Sequence, residues 1–212
     1  MARRILIVTA VQQEADAIGF SDSAYVVAGG IGRTNAAVAT TTAIHNEGSF
    51  DFVISAGVAG SLPNGNLSIG DVVVASSCVY MEEGLVTPDG FQDMHAMGFS
   101  LGDFTGNTVP VDSTLLGRLG AIGVTGSIAT VATCSGTDEQ AALVADRTCC
   151  LCEAMEGAAV VHAARLAGLL AIEIRAISNT TGNRDAQQWD LGLALDNLGT
   201  AVNTAISALQ DE

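Results

Sequence analysis

Met155-Glu156-Gly157-Ala158-Ala159-Val160-Val161-His162-Ala163-Ala164-Arg165-Leu166-Ala167, then Gly168, then Leu169-Leu170-Ala171-Ile172-Glu173-Ile174-Arg175-Ala176-Ile177-Ser178-Asn179 is the stretch that decides the fold. Small residues behind a leading carboxylate read as a helix over residues 155–167. Gly168 is placed to end it in a left-handed cap. The apolar run that follows reads as a strand over residues 170–176. It is continuous rather than alternating, as in strands buried on both faces. A helix, a glycine and a buried strand in succession are the unit of a parallel α/β fold.

The same alternation extends outward. Apolar runs predict strands over residues 4–9, 25–28, 52–56, 71–76 and 124–133. Helical patterns fall at 33–46, 113–119, 139–145 and about 186–209. The expected architecture is a central mixed, mostly parallel sheet flanked by helices in three layers, one domain over residues 1–212. No linker, repeat or low-complexity segment interrupts it. The longest irregular stretch, residues 81–112, is rich in Gly, Asp and Met, and a loop of that length is expected to be functional or to lie at an interface.

Composition narrows the function. The chain has 212 residues, is 49% hydrophobic and carries a net charge of −15, with a mean hydropathy of +0.40. That suits a core-rich enzyme or a buried oligomer interface. No apolar run reaches the roughly 20 residues of a membrane span, and the N-terminal run is too short for a signal sequence, so a cytoplasmic protein is expected. All eight basic residues are Arg and none is Lys, which excludes a Schiff-base lysine and a P-loop lysine. An acidic chain without basic clusters is a poor partner for nucleic acid or an anionic membrane. Cys149, Cys150 and Cys152 crowd together without a second ligand pair, and His45, His95 and His162 are scattered. No metal site is expected.

Two glycine-rich segments follow strands. Gly29-Gly30-Ile31-Gly32-Arg33-Thr34-Asn35 is a broken dinucleotide fingerprint, because Asn35 stands where its third glycine would fall. No cofactor is expected, and a tight turn with close helix packing is the plainer reading. Ser55-Ala56-Gly57-Val58-Ala59-Gly60-Ser61 reads either as a glycine-rich turn or as a place where backbone approaches a ligand. It lacks the central serine of a nucleophile elbow.

Glu14, following the first strand, reads alone as a solvated loop residue, and Glu156 as an ordinary first-turn glutamate. Together, Ala10-Val11-Gln12-Gln13-Glu14, Met155-Glu156-Gly157-Ala158-Ala159 and Arg175-Ala176-Ile177-Ser178-Asn179 resemble the nucleoside phosphorylase/nucleosidase family. The resemblance runs from Ile5 to Leu209. It implies that family's fold and a small-molecule purine nucleoside as substrate, without a cofactor. It also implies a homo-oligomer, a dimer or larger, since members commonly complete their sites with a neighbouring subunit.

Cleaving a nucleoside requires a deprotonated water, anionic support for the oxocarbenium-like ribose and hydrogen bonds to the leaving base. By resemblance, Glu14 positions the water, Glu156 holds the ribose hydroxyls with Met155 packed on the sugar, and Val58, Ala59 and Gly60 line ribose and purine. Arg175 is expected to orient Glu14 by a charge-assisted bond. Ser135 and Gly136 match the purine-side loop, but the family's stacking aromatic is absent there: Thr137, Asp138 and Glu139 stand instead. Adenine-type members end the last strand with Asp, whereas this chain has Asn179. An amide can donate to a 6-oxo oxygen, so Asn179 points to hypoxanthine or guanine. Loop 10–17 has no basic residue and carries Glu14, which favours water over phosphate as the nucleophile. A purine nucleoside phosphorylase and an adenine-type nucleosidase are the alternatives, with a nucleoside-sensing module behind them. Phe91, Phe99, Phe104, Met94 and Met97, with His95 as a donor, are expected to cover the ribose substituent or a dimer interface.

Overall fold

The computed structural model describes residues 3–210. In chain order the elements are β1 (Ile5–Thr9), α1 (Gln12–Ile18), β2 (Ala24–Ala28), α2 (Arg33–Glu47), β3 (Phe52–Ser61), β4 (Val72–Tyr80), β5 (Gly84–Thr87), β6 (Gly90–Asp93), β7 (Thr108–Pro110), α3 (Ser113–Leu119), β8 (Val124–Thr130), α4 (Asp138–Thr148), β9 (Cys152–Ala154), α5 (Gly157–Leu166), β10 (Leu170–Thr180) and α6 (Leu191–Gln210).

Among the described residues an eight-stranded sheet runs β10-β4-β8-β9-β3-β1-β2, with β7 on β4. β10 also pairs with β3, so β3, β10, β4, β8 and β9 close into a ring and β1 and β2 extend from it. The β1–β2, β1–β3, β10–β3, β4–β8 and β8–β9 pairs are parallel. The β10–β4, β3–β9 and β4–β7 pairs are antiparallel. The sheet is thus mixed and mostly parallel. α5 packs on β3 and β10 with α2 beside it, and α6 packs on β10 and β3 with α1 and α3 beside it.

The continuous apolar runs are buried as read: Ile5, Leu6, Ile7, Val53, Ile54, Ile172 and Ile174 are fully covered. Gly168 has φ +75°. Its N–H donates to Arg165 and that of Leu169 to Ala164, which closes α5 in a left-handed cap.

Several boundaries depart from expectation, and each departure bears on the site. β3 does not end in a glycine-rich turn: it runs through Gly57, Val58, Ala59, Gly60 and Ser61 because β10 pairs with it that far. β10 likewise continues past Ala176 to carry Ser178 and Asn179. α1, only seven residues long, and β9, only three, are too short to announce themselves in a pattern. α5 begins at Gly157, leaving Met155 and Glu156 at its mouth. Residues 81–112 are not wholly irregular, since they hold the β5–β6 hairpin and β7. α6 starts at Leu191 rather than about 186.

Candidate active site

The site lies where β3 and β10 run side by side. Gly57 pairs with Arg175, and Gly60 with Asn179 across a register shift after Ile177. A Cβ on Gly57 would overlap both the Arg175 guanidinium and the Glu14 carboxylate. The bare backbone there is what allows the two charged groups to meet over the sheet.

Glu14 is 4% exposed. Its Oε2 accepts from the N–H groups of Ala10 (2.9 Å) and Val11 (3.2 Å), and its Oε1 from Val58 (2.9 Å). The bond to Val11 is the backward half of a capping box at the start of α1. Three of about four acceptor positions on the carboxylate are therefore taken, and one remains for a ligand.

Arg175 is buried to 1% exposure. Its Nε donates to Glu173 Oε1 at 2.7 Å, Nη2 to Ser55 Oγ at 3.2 Å, and Nη1 lies 3.4 Å from Glu156 Oε2. No hydrogen bond joins it to Glu14. The expected charge-assisted bond to Glu14 is replaced by one to Glu173, because backbone N–H groups already hold Glu14. Burial works against the charge on Arg175, but Glu173, Glu156 and Glu14 outweigh it and hold its pKa above the ordinary value. Burial likewise raises the Glu173 carboxyl, with Arg175 acting the other way. Glu173 was missed in the sequence, although a carboxylate inside a run buried on both faces was the available signal. A Cβ on Gly157 would overlap that carboxylate, so the start of α5 rests directly on it.

Glu156 caps this cluster. Its Oε1 accepts from the Gly32 N–H at 3.0 Å and its Oε2 from Met155 at 3.3 Å. The glycine-rich turn before α2 thus lends the Gly32 N–H to a carboxylate. Met155 is half-buried and leans on a small second core around Leu62, Met81 and Val131.

Three residues further along β3 and four along β10 the surface opens into a cavity of about 270 Å³. Gly60, Cys134, Ser135, Gly136, Glu153, Asn179, Arg184, Gln187 and Trp189 line it. Asn179 Nδ2 donates to the Thr180 carbonyl and Oδ1 accepts from Ser178 Oγ, each at 2.8 Å. A carbonyl can only accept, so this contact fixes which end of the amide is the donor, and one Nδ2 hydrogen is left over. Ser135 is pinned to Glu153 through its N–H (2.7 Å) and Oγ (2.6 Å). Burial raises the Glu153 carboxyl, and the bonds from Ser135 pull the other way.

Residues 81–112 are not brought to this cavity. Phe91 lies under the Arg147 guanidinium, 4.0 Å from its ring centroid, and lines a separate cavity with Tyr80 and Asn107. His95 is exposed. Glu83 and Leu101 from this region line another cavity, of about 400 Å³, with Arg33, Tyr80 and His162 among others. His162 is half-buried and sits edge-on to Phe104 and Tyr80, with its pKa lowered by burial. Arg33 is matched by Glu83 at 2.6 Å and Glu82 at 3.2 Å. Among the described residues no cluster of three or more His, Cys, Asp or Glu could hold a metal ion. None of their helices is long and apolar enough to cross a membrane.

Comparison with known proteins agrees with this fold. The family model of the phosphorylase superfamily matches residues 21–211. A futalosine hydrolase of Streptomyces coelicolor is 32% identical over 191 residues, covering 87% of this chain and 79% of that protein. One of Thermus thermophilus is 32% identical over 186 residues, covering 84% of this chain and 79% of that protein. In fold, the chain matches the solved futalosine hydrolase of Helicobacter pylori with a TM-score of 0.80 at 19% identity, covering 98% of both chains. It matches a methylthioadenosine/S-adenosylhomocysteine nucleosidase of Colwellia psychrerythraea with a TM-score of 0.82 at 21% identity, covering 100% of this chain and 98% of that one.

Proposed function

From the premise that this chain belongs to the phosphorylase superfamily, and within it to the futalosine hydrolase family, we propose that it hydrolyses the N-glycosidic bond of futalosine. The products are hypoxanthine and the ribosyl remainder, a step of menaquinone biosynthesis. The observation that carries the reading is the pairing of two sites along β3 and β10. One is a carboxylate cluster, Glu14 and Glu156 about Arg175; the other is a cavity whose amide, Asn179, has a donor to spare.

Glu14 holds a water on its free acceptor position and takes its proton as the oxygen bonds to the anomeric carbon. Glu156 accepts from the ribose hydroxyls, and the anionic cluster supports positive charge on the sugar. The C–N bond breaks with its electron pair passing to the base. The base takes up a proton from solvent and leaves as neutral hypoxanthine, its 6-oxo oxygen met by the Asn179 amide, while Glu14 returns its proton to solvent. Phosphorolysis fits less well, because Arg175 is buried against Glu173 and Glu156 and Arg33 is already matched by Glu82 and Glu83. Assembly as a homo-oligomer is expected from the resemblance to a family in which a neighbouring subunit commonly completes the site.

The test is a panel of futalosine, aminodeoxyfutalosine, inosine and methylthioadenosine, each with and without phosphate. Free hypoxanthine from futalosine without phosphate is expected. Release only with phosphate would replace hydrolysis by phosphorolysis. Faster release of adenine from methylthioadenosine would reassign the substrate.

A further inference from the structure

We infer that Trp189 is the aromatic wall of the base subsite, held in place by Gln187 and Arg184, and that it takes the face of a flat purine base. The inference rests on the base-releasing reading above.

The segment expected to supply a stacking ring has none, and its residues are engaged elsewhere. Thr137 caps α4 by accepting from Gln140, and Asp138 accepts from the Asn183 N–H. Gly60, Cys134, Ser135, Gly136, Glu153 and Asn179 give the cavity no ring either, so Trp189 is its one aromatic lining residue.

Trp189 lies on an irregular segment yet is tied down from several directions. Its Nε1 donates to Gln187 Oε1 at 3.1 Å, and Arg184 Nη1 donates to the same oxygen at 3.0 Å. Gln187 Nε2 donates to the carbonyls of Ser135 (3.0 Å) and Gly182 (2.9 Å). The Arg184 guanidinium sits 4.8 Å from the indole centroid, and the Arg184 N–H donates to Gly136. The backbone is joined to β10 on both sides of Trp189, by Thr180 to Gln188 and by Asp190 to Ser178. Through all this the indole stays 49% exposed. An exposed ring alone means little; an exposed ring fixed at a cavity wall is arranged before any ligand arrives.

Its position matches the role. Trp189 forms an antiparallel bridge with Asn179, and residues paired in this way project to the same face. The residue proposed to read the edge of the base and the one proposed to cover its face therefore start from paired backbone positions. Every purine has a π-face for an indole, and the adjoining cation strengthens such a stack.

Trp189 is the sole tryptophan of the chain, so its emission reports on this wall alone. Titration with hypoxanthine should quench it saturably. Trp189→Ala should raise the KM for futalosine roughly tenfold or more with a smaller change in kcat. Trp189→Phe should restore KM to within about threefold, which a purely structural loss would not do. If futalosine is cleaved but hypoxanthine leaves the emission unchanged, or Trp189→Ala keeps KM within twofold, the wall is wrong and the nucleosidase reading stands. Quenching by hypoxanthine without cleavage of any purine nucleoside would support the wall and overturn that reading.

Discussion

At the scale of single residues, function depends on which end of a polar group is already occupied. Glu14 receives N–H donors on both oxygens, and a glutamine can accept at only one. Glu14→Gln should therefore lower kcat by about 100-fold or more. It should also cost about 1–3 kcal/mol of stability from one N–H left facing an amide. Circular dichroism at 25 °C should be unchanged; retention of more than a tenth of kcat would remove Glu14 from the chemistry. Asn179 is held by contacts of opposite polarity. Asn179→Asp would set an oxygen against the Thr180 carbonyl and against a 6-oxo group. The kcat/KM for futalosine should fall about tenfold or more relative to aminodeoxyfutalosine; an unchanged ratio would show that the amide does not read the base. Glu153 gives a pH signature. Its folded pKa is raised, so its stabilising contribution is complete below the ordinary glutamate value of 4.5 and is lost as pH rises through the folded value. Glu153→Gln keeps both partners on Ser135 and does not ionise. The Tm difference should move in favour of the variant between pH 4 and 8, and a slope of opposite sign would refute the assignment.

At the scale of elements, the site exists because two strands continue further than their apolar runs indicate. The composition of Gly57 to Ser61 allows either a turn or a strand, and what decides is β10 lying alongside, a contact between segments more than a hundred residues apart. Glu14, Glu156, Arg175 and Asn179 were legible through their motifs; their partners were not. Glu173 stands two residues before Arg175 on β10 and carried a local signal, a carboxylate inside a buried run, whereas Gly32 and Glu153 meet the site only through the packing of α2 and β9, which no local pattern encodes. The mouth of α5 shows how tight this packing is. A methyl group on Gly157 would enter the space of the Glu173 carboxylate, and neither the buried strand nor the ion pair with Arg175 can give way. Gly157→Ala should destabilise by about 1–3 kcal/mol and lower kcat as well, since Glu156 adjoins it. A variant with native Tm and activity would mean that α5 can retreat from the strand.

At the scale of the whole molecule, stability should be uneven in a way the topology dictates. β3, β10, β4, β8 and β9 form a closed ring, and β1 is paired on both sides. The residues of β1 and most of β10 are buried as well. The backbone N–H groups of β3 and β10 can be released only by opening the ring, so amide exchange at Ile54 and Ile174 should report the global unfolding free energy. The β5–β6 hairpin pairs only with itself, and Leu85 and Val86 are 47% and 76% exposed. An isolated two-stranded hairpin is marginal in water, so its amides should exchange far faster than those of the ring. If a second copy of the chain covers this region, as the exposed Val86 and Phe99 lead one to expect, exchange in residues 84–93 should slow as protein concentration rises, while exchange in β1 stays constant. Hairpin exchange independent of concentration across the range in which sedimentation detects a dimer would place the interface elsewhere. Hairpin protection equal to that of the ring in the monomer would contradict the division of the molecule into a closed core and a separately paired appendage.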